Sequence, residues 1–488
     1  MRKIVVVNNP KDWELSKQNI EVIDPQTYLT NTDYIDIRTA RVFNLCKQYS
    51  YQSTGYYVSL LAEARGHKVI PSVTTLQDFK SKTIVKVITD DIEELIQKSL
   101  KNLKSDTFTL SIYFGRNMAK QHDELSKNLY NLFQAPLLRA HFKFNKKWHL
   151  QRISPIPVDE IPEHHNYFVY QVAEEYFSKK RYDSIKNTNY KYDLAILINP
   201  NEKDAPSNKR SLIKFLHAAE EVGFCTEFIT KDDYSRLSEF DALFIRETTS
   251  VDHHTYRFAR RAATDNMVVV DDPLSILRCT NKVYLAEILQ KAKIPTPKTM
   301  IVHKHNRNQV ETVLGLPCVL KKPDSAFSLG VIKVKTTEEL ENSLNTLLHD
   351  SDLVVAQEFL PTDYDWRIGI IDQTPIYACK YFMAKGHWQI YNWKGSASNQ
   401  SGSTETVAVD EVPKEVIETA LKAANLIGNG LYGVDLKQNS NGIYIIEIND
   451  NPSIDAGYED RVSKDKLYST IMKSLFRRVE EMKEKKHN

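Results

Sequence analysis

Between Asp193 and Asp272 short apolar runs alternate with helical periodicity: DLAILIN, SLIKFLHAAEEVG, FDALFIRE, HHTYRFARRAATD and MVVVDD follow one another. Strand and helix in alternation predict a parallel sheet covered by helices. Such a sheet takes ligands in the crevice outside the carboxyl ends of its strands. Arg246 and Glu247 follow FDALFI at one such end. A guanidinium there suits a substrate carboxylate, which makes Arg246 a candidate catalytic group.

A chain of 488 residues is too long for one core, and the length predicts two to four domains. Residues 1–189 form the first. It opens on the strand signal KIVVV, continues through an amphipathic helix, and reaches a strand bounded by Gly66 and Pro71. FTLSIYFG and HFKFNKKWHLQRI alternate as exposed or edge strands do. The polar run SKKRYDSIKNTNYKY, from Ser178 to Tyr192, lacks periodic apolar residues and is the candidate linker. Residues 190–272 are the parallel α/β domain, and residues 273–488 carry the chemistry. The basic tail RRVEEMKEKKHN is the solvated face of a surface helix. The reading finds no internal repeat and no low-complexity segment.

Sixty-five Lys and Arg against 63 Asp and Glu leave a net charge of +2, which gives no support for a nucleic-acid or membrane-surface protein. No apolar run approaches a bilayer span, and the first residues lack a signal-peptide core. Cys46, Cys225, Cys279, Cys318 and Cys379 are scattered without metal-type spacing, as expected of reduced core thiols in a cytoplasmic protein.

Three segments carry chemistry. In GVDLKQNSNGIYIIEINDNPS two strands flank a turn at Asn439–Gly442, a hairpin that sets Asp435 across from Glu447 or its neighbour. Glu447 and Asn449, two apart, share a face. Two carboxylates and an amide oxygen are the hard ligands magnesium accepts when it also holds phosphates. The bland alternative is the solvated face of an edge hairpin, although Ile445, Ile446 and Ile448 set Glu447 inside an apolar strand.

LPCVLKKPDSAFSLGVIKV runs a strand with Lys321 and Lys322 into a loop of small residues that includes Ser325 and Ser328. Small residues let backbone N–H groups approach an anion, and a strand lysine completes the neutralisation. A simple hairpin loop is the alternative. VVAQEFLPTDYDWRIGII ends a strand at Gln357, Glu358, Phe359 and Leu360, turns at Pro361, and continues past Asp365 to Arg367. The crossing can offer a donor and acceptor edge to a purine, and Arg367 can stabilise a transferring phosphoryl group. A surface salt bridge from Arg367 to Asp363 or Asp365 would explain the same residues.

The order of these segments, with DDPLSILRCTNKVYLAEILQKAKIPTPKT ahead of them, resembles the ATP-grasp superfamily, above all the RimK-like glutamate ligases, with glutathione synthetase more distant. The resemblance spans about Asp193 to Ser453. It implies α/β and α+β architecture: a pre-ATP-grasp parallel α/β domain, a two-part grasp domain, and ahead of them an additional α/β domain similar to the N-terminal domain fused to some RimK-like proteins. It further implies ATP and Mg2+ (or Mn2+) as cofactors. On it, Lys282 and Lys321 bind phosphate, with Lys322 the lesser candidate, and Gln357, Glu358, Phe359 and Leu360 hold the adenine. Asp365, Ser325 and Ser328 complete the nucleotide site, Arg367 is catalytic, and Asp435, Glu447 and Asn449 ligate the metal. Ser325-Ala326-Phe327-Ser328 departs from the glycine-rich lid usual there, and Asn392 and Lys394 stand in the place of the acceptor-side loop.

The implied reaction is carboxylate–amine ligation through an acyl phosphate, adding glutamate or another amino acid to an amine, peptide or protein. It needs no protein nucleophile, so the pairs His164-His165 and His253-His254 are read as surface or packing residues. A phosphotransferase on the same fold and a nucleotide-binding regulator without turnover are the alternatives. The expected partners are small carboxylates and amines or peptides, without nucleic acid or membrane, in a chain that can self-associate.

Overall fold

A computed structural model describes residues 2–13, 20–37, 40–81, 92–177, 190–324, 330–384, 388–390 and 402–487, with Val85 and Thr89. Most of the candidate linker, residues 178–189, lies outside them. The chain divides into two compact units: Met1–Tyr192 with Asp232–Glu239 and Glu480–Asn488, and Asp193–Lys231 with Phe240–Val479.

In unit 1, strands β1 (Arg2–Val6), β2 (Glu21–Ile23), β3 (Ala40–Asn44) and β4 (Lys68–Ile70) form a parallel sheet in the order β2-β1-β3-β4. The helix Thr54–Ala64 joins β3 to β4, and the helix Val73–Asp78 follows β4. Strands β5 (Thr107–Tyr113), β6 (Leu137–Asn145) and β7 (Lys147–Pro155) make an antiparallel sheet. HFKFNKKWHLQRI is therefore a hairpin, and its first arm lies in the middle of the sheet, not at an edge. Ala140 and Phe142 are buried on that arm.

Unit 2 opens with β8 (Tyr192–Leu197), β9 (Phe224–Ile229), β10 (Ala242–Ile245) and β11 (Val268–Val270) in the order β11-β10-β8-β9, with β8, β10 and β11 parallel. Every residue of β8, β10 and β11 is buried. A strand covered on both faces has no polar side to show, which is why these stretches read as unbroken apolar runs. Asn208 caps the helix Lys209–Val222, accepting from the Ser211 N–H, and Gly223 ends it at φ 108°, a left-handed cap open to glycine.

The two parallel sheets have one plan. Reading β1, β2, β3, β4 against β8, β9, β10, β11 gives the same strand order, and the helix from Thr54 stands where the helix His254–Thr264 stands two hundred residues later. This corrects the reading that the chain holds no repeat. The two copies share periodicity rather than residues, so identity between them is too weak to see in the sequence.

Two antiparallel sheets follow in unit 2. Strands β12 (Thr299–Val302), β13 (Cys318–Lys321), β14 (Val331–Val334) and β15 (Val354–Glu358) pair in the order β12-β15-β13-β14. Leu340, Leu344, Leu347 and Leu348 of the helix Thr337–Asp350 bury against Cys318, Leu320, Val354 and Ala356. Each such leucine contributes about 1.5–3 kcal/mol. Strands β16 (Tyr364–Ile371), β17 (Thr374–Phe382), β18 (Thr404–Val407), β19 (Leu431–Asn439) and β20 (Gly442–Asn449) make the second, in the order β18-β17-β16-β19-β20. Val416, Ala420, Ala423 and Ala424 of the helix Lys414–Ile427 pack against Val434, Leu436, Ile445 and Ile448. At Gly369 a Cβ would stand 2.0 Å from the ring of its cross-strand neighbour Tyr377, so the ring occupies space that only glycine leaves.

Candidate active site

With Val434 and Leu436 committed to the core, the alternation of β19 turns Asp435 to the opposite face. Arg367 pairs with Asp435 across β16–β19, and Asp435 pairs with Glu447 across β19–β20, so the three stand in one row on neighbouring strands. Arg367 Nε and Nη2 donate to the two carboxylate oxygens of Asp435, each at 2.7 Å. The salt bridge to Asp363 or Asp365 is thereby corrected, because the register sets Arg367 beside Asp435. Asn449 Nδ2 donates to Asp435 Oδ2 at 3.2 Å and to the Gly433 carbonyl at 3.3 Å.

The register slips between Asp435 and Leu436, leaving Ile446 as the extra residue of a bulge. Strict alternation would set Ile446 and Glu447 on opposite faces. The bulge lets both line the same cleft.

Cations surround the row. Asn281 caps the helix Lys282–Lys291 by accepting from Val283 and Tyr284, and Lys282 at its first position reaches Glu447 Oε1 at 2.8 Å. Lys321 ends β13 buried in the same cleft, whereas the Lys322 side chain is 41% exposed and lies 3.6 Å from Asp350. Burial pulls the Lys321 ammonium down to about 8, with Lys282 and Lys437 adding repulsion against the attraction of Glu447. Against the cost of burial, Lys282 and Lys321 hold the Glu447 carboxyl below its usual value. Burial raises Asp435 even with Arg367 forked onto it. Asp365 Oδ1 accepts from Lys437 Nζ at 2.5 Å and from Thr362 at 3.1 Å.

The cleft runs from these charges to Phe359, Leu360 and Trp388. Gln357 is tied to Thr299 at 2.9 Å, and Glu358 accepts from the Lys298 N–H at 2.7 Å. Among the described residues the N–H groups of Phe359 and Leu360 make no hydrogen bond within the protein. The arrangement offers an apolar slot with open backbone donors at one end and three lysines at the other.

The residues fit a divalent cation. Asp435 and Glu447 are cross-strand neighbours with hard oxygen donors, and the Asn449 amide, donating through nitrogen to Asp435, keeps its oxygen for a cation.

Other expectations fall elsewhere. Arg246 is 1% exposed, and its three nitrogens donate to Ser207 Oγ, Asn451 Oδ1 and the carbonyls of Pro206 and Pro452. That network ties the loop after β20 to the parallel sheet and occupies the guanidinium proposed for a substrate. Ser325, Ser328, Asn392 and Lys394 lie outside the described residues. His165 Nδ1 pairs with the Tyr113 hydroxyl at 2.6 Å in unit 1. Sequence reasoning missed Lys437 and Trp388. Lys437 follows Asp435 at a spacing of two on one strand, a signal that same-face counting would have found.

Residues 279–471 match the RimK-like ATP-grasp domain, and residues 25–172 match the RimK-like ATPgrasp N-terminal domain. A probable alpha-L-glutamate ligase from Vibrio vulnificus is 26% identical over 233 residues, 47% of this chain and 74% of that protein. One from Shewanella loihica is 25% identical with the same coverage. The D-alanine–D-alanine ligase from Bacillus anthracis aligns at 16% identity and a TM-score of 0.48, over 60% of this chain and 99% of its own.

Proposed function

The chain is an ATP-grasp ligase of the RimK-like type, and on that premise we propose that it joins an amino acid, glutamate among the candidates, to a second small molecule, peptide or protein terminus through an acyl phosphate. The observation that carries this reading is Glu447, at the end of the row Arg367–Asp435–Glu447, lining one cleft with Lys282 and Lys321.

In this reading the open N–H groups of Phe359 and Leu360 meet the purine edge, and Ile446 and Val319 cover its faces. Lys282 leaves Glu447 and, with Lys321, neutralises the phosphates. A substrate carboxylate oxygen attacks the γ-phosphorus in line, the bond to the β-phosphate oxygen breaks, and ADP leaves. Charge spreads over the equatorial oxygens at that point, and Arg367, held flat by Asp435, faces it with a guanidinium that stays charged. An amine nitrogen then attacks the acyl carbon, loses its proton, and expels phosphate. Magnesium, or manganese in its place, held by Asp435, Glu447 and Asn449, supplies charge neutralisation on the nucleotide phosphates. Arg246 positions the loop after β20 without touching the substrate. We assign the reaction to the cytoplasm, where ATP and free amino acids are at hand; among the described residues no helix is long and apolar enough to cross a membrane.

A screen of amino acids and peptides in pairs for ATP-dependent phosphate release, with mass spectrometry of products, tests the proposal. It expects ADP, phosphate and a product heavier than one substrate by the other less water. A phosphorylated final product would make the chain a phosphotransferase. Nucleotide binding without turnover would make it a regulator.

A further inference from the structure

Beside the repeat lies a cluster that the ligase reading does not use. Glu247, directly after β10, is 1% exposed, and neither carboxylate oxygen accepts a hydrogen bond. Its contact is His254 Nε2, 2.8 Å from Oε1. His253 stacks on His254 with ring centroids 3.9 Å apart. One ligand atom from each of the three residues lies within 4.8 Å of the others. Glu202 stands against the same loop, its carboxylate accepting from the Thr248 N–H at 3.2 Å.

A buried carboxylate without hydrogen bonds is costly unless a charge compensates it. The repeat sharpens the point. Where His253 stands, the first copy has Ser53, which caps its helix by accepting from the Tyr56 N–H. His253 opens the equivalent helix with no side-chain cap. Giving up a serine cap is destabilising. The second copy thus forgoes a cap and buries a carboxylate whose contact is one imidazole, and both features place donor atoms around one point.

We propose that Glu247, His253 and His254 form a binding site for a divalent transition cation of the zinc class, separate from the nucleotide site. Two imidazoles and a carboxylate are a ligand set for zinc, with a fourth position open to water or to Glu202. Zinc bonds of about 2.0–2.1 Å set ligands about 3.3 Å apart, so side-chain rotation of about an ångström closes the set. Thr249 donates to Asp450 at 2.8 Å, and Asn451 donates to the Glu247 carbonyl at 2.7 Å. An ion here would brace the loop that follows Asn449. The inference does not depend on the ligase reading.

The test titrates the full metal-free chain with Co2+ followed by its visible d–d absorption, and with Zn2+ by calorimetry. The wild type and Glu447→Gln, which impairs the nucleotide site, are expected to bind one ion per chain with the same spectrum. His253→Asn and His254→Asn, at partly exposed positions, are each expected to weaken binding by more than about 100-fold, beyond the loss of an outer-shell partner. Melting curves without metal confirm that each variant folds, and Glu247→Gln repeats the test if one does not. No ion bound by the wild type, affinity unchanged in all three cluster variants, or loss in Glu447→Gln alone would overturn the site.

Discussion

Arg367 grips Asp435 through both ends of its fork, 2.7 Å at Nε and 2.7 Å at Nη2, across adjacent strands with the side chains 17% and 13% exposed. A lysine carries the charge but cannot make two parallel bonds. Arg367→Lys is expected to lower kcat by about 10²–10³, as removal of one preorganised charge-stabilising donor does, while nucleotide affinity changes little. Steady-state kinetics with calorimetry on the same protein checks this; an unaltered kcat would remove Arg367 from the reaction.

Lys321, the last residue of β13, is buried, whereas Lys322, just past the strand, is partly exposed. Lys321→Met is expected to weaken ATP binding about ten- to a hundredfold, the worth of a charge-assisted contact of about 1.5–3 kcal/mol. Lys322→Met should leave it within about twofold. Isothermal calorimetry of both variants decides, and the reverse ranking would move the phosphate contact to Lys322.

Arg246 is a structural tie. Arg246→Met strips partners from Ser207, Asn451 and two carbonyls at once and should cost about 2–4 kcal/mol in urea denaturation. If stability held and only the KM for a carboxylate rose, Arg246 would be a substrate contact after all.

How much of this was legible in the sequence divides by physical cause. The hairpin was readable because turn residues and apolar alternation fix register locally, and Asp435 does pair with Glu447. Buried strands β8 and β10 announced themselves as apolar runs. Ile446 was unreadable, since a bulge depends on the partner strand. The alternative salt bridge for Arg367 named Asp363 or Asp365, both close along the chain, whereas its partner Asp435 lies 68 residues away in sequence. The repeat hid because two sheets can share a plan while sharing few residues. The histidine pair looked like helix surface until folding set Glu247 beside it.

Cysteine reactivity tests the core directly. Burial pushes the Cys46 and Cys379 thiols up to about 12 and Cys318 up to about 11, and sets Cys279 well above its ordinary value. Thiolates are the reactive form. Cys225, partly exposed, should therefore react first with a disulfide reagent at pH 8, and all five thiols only after unfolding. Rapid titration of several thiols in the folded chain would contradict the packing.

The central claim concerns where the cation sits. A crystal grown with ADP and Mn2+, measured at the manganese edge, should give anomalous peaks within bonding distance of the Asp435 and Glu447 carboxylates and the Asn449 amide oxygen, beside the nucleotide phosphates. A nucleotide bound in the cleft with manganese elsewhere, and those three side chains turned from it, would contradict the account.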